Sequence, residues 1–323
     1  MIEDAIGGYF ELEVASDRRE CHADALRFQS ARAAFLALLR AQQPAAVWVP
    51  WYLCDSMLEP LQTTGTTLKR YALGHDLSCP DVEPGDGEWL LYVNYFGICD
   101  RHVDDVLARH PRTRVVIDNA HALFSAPRDC LATVYSPRKF VGVPDGGYLV
   151  TQSPVPMPDD VDDGSLGRSK HLLTRLAAGA EAGYAEYAAA EASLRWQAPR
   201  RMSPLTQRLL AGIDYDSVRA RRAANFRFLH ERLGHRNRLA IRVDDDAAPL
   251  CYPFLGAPAG LRDMLRARRV YTPTYWPDLS DSPDMPAFER ALPEATLFLP
   301  CDQRLSVAQL APLTHLLLEQ LDR

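Results

Sequence analysis

The stretch from Arg114 to Val150, RVVIDNAHALFSAPRDCLATVYSPRKFVGVPDGGYLV, limits what this chain can fold into more than any other. Val115, Val116 and Ile117 form an unbroken apolar run that enters Asp118, the pattern of a strand buried on both faces of a parallel sheet. Open α/β sheets place their ligands beyond the carboxyl ends of such strands. A second run, Leu131 to Tyr135, ends at Ser136 and leads to Lys139. Asp145-Gly146-Gly147 then introduces a third, Tyr148 to Thr151. An acid and an amine are therefore expected to emerge from neighbouring strand ends. Upstream, Trp89 to Val93 reads as a strand, Asp100 as the cap of a helix carrying Val103, Val106 and Leu107, and Pro111 as its end. Strand, helix and Val115 make a βαβ unit, so the fold class is α/β with a parallel sheet.

Lysine is scarce. Of 36 basic residues only Lys69, Lys139 and Lys170 are lysine, so a site needing only positive charge would have drawn arginine. An amine can lose its proton and condense with an aldehyde, whereas a guanidinium stays charged. A carboxylate on a strand end some twenty residues upstream can pair with a protonated pyridine nitrogen. Lys139 and Asp118 together point to pyridoxal phosphate held as a lysine Schiff base with an aspartate on its ring.

The length of 323 residues allows about two domains, and 47% hydrophobic residues suffice for a large core. A net charge of −6 with no lysine-rich patch argues against nucleic acid. The start, MIEDAIGGYFELE, has neither a basic nor an apolar leader region, and no window of eighteen residues is uninterruptedly apolar, so a cytoplasmic protein with no membrane segment is expected. The seven cysteines lack a C-x-x-C pair and any metal-like spacing, which reads as reduced thiols and no metal.

Ser30 can cap a helix running to about Ala41, and the free N–H groups of such a start suit a phosphate, with Arg32 adding charge. The alternative is a cap and nothing more. Val47 to Val49 is a short strand, and Trp51 or Tyr52 beyond it can stack on a flat cofactor or simply pack. Asn94, at the end of the Trp89–Val93 strand, suits either a hydrogen bond to cofactor or substrate or a turn. His121, three residues after Asp118, is a ring contact or a satisfied core histidine. Leu172 to Trp196 reads as one long Ala-rich helix, and residues 205 to 234 as a helical stretch. Further on, Leu239–Val243 and Leu250–Phe254 are expected strands, Leu261–Arg268 a helix, and Val270–Tyr275 another extended run. Ser306 with Gln309 forms a capping box ahead of Leu310, Leu313 and Leu317.

In sequence order the chain carries Ser30-Ala31-Arg32, VPWY at 49–52, NYFG at 94–97, IDNAHA at 117–122, SPRK at 136–139, DGG at 145–147, RMS at 201–203 and LFLP at 297–300. This collinear set resembles the DegT/StrS sugar aminotransferases, a family of fold-type I pyridoxal phosphate enzymes. The resemblance implies a large domain with a mostly parallel seven-stranded sheet and a smaller C-terminal α+β domain. The expected division is an arm over 1–23, the cofactor-binding domain over 24–204, and an interdomain helix with the small domain over 205–323. It implies Lys139 as the catalytic residue and Asp118, His121, Ser30, Ala31, Arg32, Ser136, Tyr52 and Asn94 around the cofactor. Tyr95 and Tyr275 are candidate substrate contacts. It also implies glutamate or glutamine as amino donor, a nucleotide-linked ketosugar as acceptor, and a homodimer.

Several positions depart from the family's pattern. Arg32 stands in place of a hydroxyl residue, and Cys54 in place of the aromatic that covers the ring, a role Tyr52 or Trp51 would then take unless the Cys54 thiol itself packs on the ring. Asn94 replaces a histidine, and Ser136 lies closer to the lysine than the family's serine. Pro199 replaces an asparagine that in relatives reaches the neighbouring subunit's cofactor. A non-transaminating homologue serving as a binding or regulatory subunit is the alternative. Ser136-x-x-Lys139 also matches a serine acyl-enzyme motif, but no Lys-Thr-Gly follows, and no G-x-G-x-x-G supports a nicotinamide site.

Overall fold

Strands whose residues are apolar on both faces must be covered on both sides, and the computed structural model shows where they go. It describes residues 7–15, 17–277, 279 and 282–322. Seven strands form one sheet: β1 (Leu26–Phe28), β2 (Ala46–Pro50), β3 (Thr67–Tyr71), β4 (Glu88–Val93), β5 (Val115–Asn119), β6 (Ala132–Tyr135) and β7 (Gly147–Thr151). Their order across the sheet is β1-β7-β6-β5-β4-β2-β3. The run from β3 to β6 is parallel, and β7 is antiparallel to both β6 and β1. Every residue of β5 and β6 is buried.

Register determines what gathers at the carboxyl edge. Val93 of β4 sits opposite Asp118 of β5, and Asn119 opposite Tyr135 of β6. Asp118, Ser136 and the turn carrying Lys139 therefore leave the sheet side by side. Because β7 runs the other way, Tyr148 pairs with Tyr135 and the Asp145-Gly146-Gly147 turn arrives at the same edge. Helix α1 (Ala31–Gln42) starts there too, since Phe28 pairs with Gly147 and Ser30 bridges Gly146.

Both glycines answer to geometry. Gly146 has φ +125°, a backbone state that disfavours side chains. At Gly147 a Cβ would lie 2.1 Å from the Ser30 carbonyl carbon and 2.3 Å from the Ala31 nitrogen, both backbone atoms that cannot swing away. Gly147→Ala is expected to push α1 off the sheet edge and destabilise the chain by about 3 kcal/mol, measured by urea unfolding. Asp145 is fully buried and acts as a post: it accepts from the Ser203 N–H (2.8 Å), the Ser203 hydroxyl (2.7 Å) and the Thr206 hydroxyl. Ser203 in turn caps α7 (Pro204–Ala211) by accepting from the Thr206 N–H.

The Ala-rich segment departs from the expected single helix. It forms α4 (Ser165–Arg168), α5 (Lys170–Ala178) and α6 (Tyr184–Ala192), broken where Gly179 adopts φ +92°. Lys170 reaches Glu186 at 2.9 Å and His171 meets the Tyr187 ring edge-on, so α5 and α6 fold back on each other. After α8 (Tyr215–Leu233), β8 (Cys251–Leu255) and β9 (Thr296–Pro300) form a separate antiparallel pair packed on α8 and α11 (Val307–Leu321). The Ser306 N–H donates to Gln309 Oε1 at the start of α11. Leu239–Val243, expected as a strand, is irregular, as is Val270–Tyr275. Among the described residues no helix is long and apolar enough to cross a membrane.

Candidate functional site

A cavity of about 350 Å³ opens at the carboxyl edge of the sheet, at the small end of the ~300–1,000 Å³ common for small-molecule sites. Asp118, His121, Ser136 and Lys139 line it, together with Ser30, Ala31 and Arg32 at the start of α1. Each reaches it by a short route from its strand. Asp118 is the last residue but one of β5, while a single 3₁₀ turn, Pro137–Lys139, follows β6 and turns Lys139 inward.

Lys139 Nζ lies 2.9 Å from His121 Nε2 and 5.9 Å from the centre of the Tyr275 ring. The Phe96 N–H lies 3.4 Å from His121 Nδ1, on the side of the ring away from the amine. Burial, aided by the charge of Lys139, pushes His121 well below its ordinary pKa and keeps the ring neutral. The ring is sandwiched, with Trp276 stacked at 5.6 Å and 12° and Phe96 at 5.6 Å and 25°. Burial pushes the Asp118 carboxyl above its ordinary range, while the Ala120 N–H (2.9 Å to Oδ1) and Lys139 pull it back. Its second oxygen has no hydrogen-bond partner among the described residues. A buried, half-satisfied carboxylate is a costly thing to keep unless something cationic sits beside it.

The α1 end of the cavity is rich in donors. Ser30 satisfies the Ala33 N–H with its hydroxyl (3.1 Å) and the Ala34 N–H with its carbonyl (3.0 Å). The Ala31 N–H turns to the Gly146 carbonyl across the Ser30–Gly146 bridge, while the Arg32 N–H is left without an acceptor among the described residues. The buried Nε atoms of Arg32 and Arg138 are likewise unpartnered. A buried donor left unmade costs about 1–3 kcal/mol, so this wall suits a ligand that brings acceptors and no donors. A phosphate does so, and an acid, an amine and a donor-lined wall around one cavity fit pyridoxal phosphate.

Four of the residues expected here lie elsewhere or at the margin. Tyr52 does not line the cavity: its fully buried ring packs on Tyr95 (5.7 Å) and Trp276 (4.5 Å). Tyr95 is buried behind it, its hydroxyl donating to the Tyr52 carbonyl at 2.6 Å. Asn94 takes the turn role, donating to Asp100 and Asn119 and accepting from the Cys99 N–H. Tyr275 contributes its ring beside Lys139 and His121 without lining the cavity.

Other residues complete the wall. Cys54 and the first turn of α2 (Asp55–Thr64) form part of the wall, as does Trp276. Arg138, Glu191, Leu194 and Arg195 close another side, Glu191 being ion-paired with Arg138. The sequence signal was the long Ala-rich segment, which brings Glu191 and Arg195 over the site. Arg222, only 2% exposed, donates to the Phe140 carbonyl and lies over its ring, so α8 holds the residue next to Lys139 in place.

No protein-family model matches the chain, and no curated protein matches it in sequence. Solved structures do match. DesV of S. venezuelae is 20% identical over 93% of this chain and 85% of its own, with a TM-score of 0.63. The sugar aminotransferase CalS13 from Micromonospora echinospora is 14% identical over 90% and 86%, with a TM-score of 0.61. NtdA from Bacillus subtilis, solved with bound cofactor PMP, is 13% identical over 93% and 73%, with a TM-score of 0.64. The chain has their fold: the mostly parallel seven-stranded sheet and small second sheet of the fold-type I transferases.

Proposed function

We propose that this chain is a pyridoxal-phosphate-dependent aminotransferase of the DegT/StrS type. The observation that carries the proposal is that Lys139, Asp118 and His121 line one cavity whose wall includes the start of α1. Bound there, pyridoxal phosphate would supply an aldehyde for an amine and a ring that accepts electrons from a breaking C–H bond. Lys139 would hold the cofactor through Nζ, and as a free amine it would take the proton from the amino donor's α-carbon and hold it for return. The Asp118 carboxylate holds the pyridine nitrogen protonated, which also gives this buried acid its missing partner. His121, neutral and stacked with Trp276 and Phe96, would line the pocket beside Lys139 without adding charge to it.

The donor in this reading is glutamate or glutamine and the acceptor a nucleotide-linked ketosugar. Support for the sugar comes from the neighbours in fold, one of them named as a sugar aminotransferase. A homodimer belongs to the same reading. Tyr9 and Phe10 of the arm are 98% and 93% exposed, and Leu166, Leu176 and Tyr184 of the helical segment are also bare, apolar side chains that a partner subunit would cover. Light scattering is expected to give twice the chain mass, and a monomer that turns over would contradict this. The functional proposal is tested by adding pyridoxal phosphate to the purified protein. A visible absorbance that borohydride bleaches and an amino donor shifts supports it, and a protein that stays colourless refutes it.

A further inference from the structure

The three arginines on the cavity wall are not equivalent. Arg32 is held from behind, 3.3 Å from Glu59 and donating to the Leu194 carbonyl at 2.8 Å. Arg138 is paired with Glu191. Each pair is neutral, and each arginine keeps a buried Nε–H with no acceptor. Arg195, just beyond α6, is exposed, and while its backbone N–H donates to the Ala192 carbonyl (3.1 Å), its guanidinium has no ion-pair or hydrogen-bond partner among the described residues. It is close enough to act electrostatically on Arg32, as is Glu191. Of the three guanidinium groups on the wall, only that of Arg195 has no carboxylate paired with it among the described residues.

We infer that Arg195 is the charge that fixes the cofactor's phosphate over the start of α1, with the Nε–H groups of Arg32 and Arg138 and the N–H of Arg32 as its neutral donors. This rests on the cofactor reading above. The donor set argues for phosphate over a carboxylate, because three terminal oxygens can use several convergent donors while a carboxylate offers two. Arginine suits the task through its planar fork. The helical segment that reads as an Ala-rich stretch is then the part of the chain that completes the anion seat.

The test compares pyridoxal phosphate with pyridoxal, which has the ring and aldehyde but no phosphate. Both are titrated by absorbance into protein stripped of cofactor with hydroxylamine. Arg195→Ala is expected to raise the Kd for pyridoxal phosphate at least tenfold and leave that for pyridoxal unchanged, with partial recovery in Arg195→Lys. Inorganic phosphate should compete with pyridoxal phosphate in the wild type and lose that effect in Arg195→Ala. Arg175→Ala, exposed on α5 and outside the cavity, controls for general charge and should match the wild type. Equal weakening of both ligands by Arg195→Ala, or no weakening of either, overturns the assignment while leaving the cofactor reading intact. A wild type that binds neither ligand overturns both.

Discussion

Lys139→Ala is expected to abolish turnover and the borohydride-sensitive visible absorbance together, while the protein still binds pyridoxal phosphate without a covalent link. The side chain can be removed cleanly. Lys139 follows two residues of a 3₁₀ turn anchored by backbone bonds from Phe140 and Val141 to the Pro137 carbonyl, and by Arg222 from outside. None of these contacts uses Nζ, whose hydrogen bond is to His121. Truncation therefore leaves Asp118, His121 and the α1 donors where they are. Proton transfer by a placed side chain contributes about 10²–10⁴-fold on its own, and loss of the anchor adds to that. Lys139→Arg separates charge from chemistry: it keeps the cation yet cannot condense with an aldehyde, so it should fail as completely as alanine. Turnover by either variant, or a retained borohydride-sensitive band, removes Lys139 from its role.

The residues on which this prediction stands were legible because buried parallel strands write themselves as unbroken apolar runs. Val115 to Ile117 and Leu131 to Tyr135 ended where β5 and β6 end, give or take a residue. Ser30 was readable as a cap for a similar reason, since its side chain satisfies a local need. Side chains just beyond a strand end were harder, because their direction is set by the turn and by what packs on it. Tyr52 and Asn94 illustrate this. Two residues after β2 the tyrosine is turned into the core against Tyr95, and Cys54 at the start of α2 faces the cavity instead. Asn94 is consumed by Asp100, Asn119 and the Cys99 N–H, a three-way contact no local pattern announces. Helix propensity summed over residues 172–196 also concealed Gly179, whose positive φ folds the segment back and carries Arg195 to the site.

Asp118→Asn separates stability from activity. Turnover is expected to fall about a hundred- to a thousandfold, the scale for losing one preorganised electrostatic contact, because an amide cannot hold a pyridine nitrogen protonated. The stripped protein should behave in the opposite sense. Burial raises the folded pKa of Asp118 above its ordinary value, so this group favours the native state only at acidic pH, and that contribution is lost as pH rises through the folded pKa. At neutral pH the ionised carboxylate therefore burdens the empty fold. Asparagine removes that burden and still accepts from the Ala120 N–H through its amide oxygen. Urea unfolding at neutral pH should find stripped Asp118→Asn at least as stable as the stripped wild type, with the gap closing as pH falls. Saturating pyridoxal phosphate should reverse the order, since only the carboxylate gains a cationic partner. A variant with wild-type turnover, or one less stable than wild type when both are stripped of cofactor, would show that Asp118 serves the fold and not the ring.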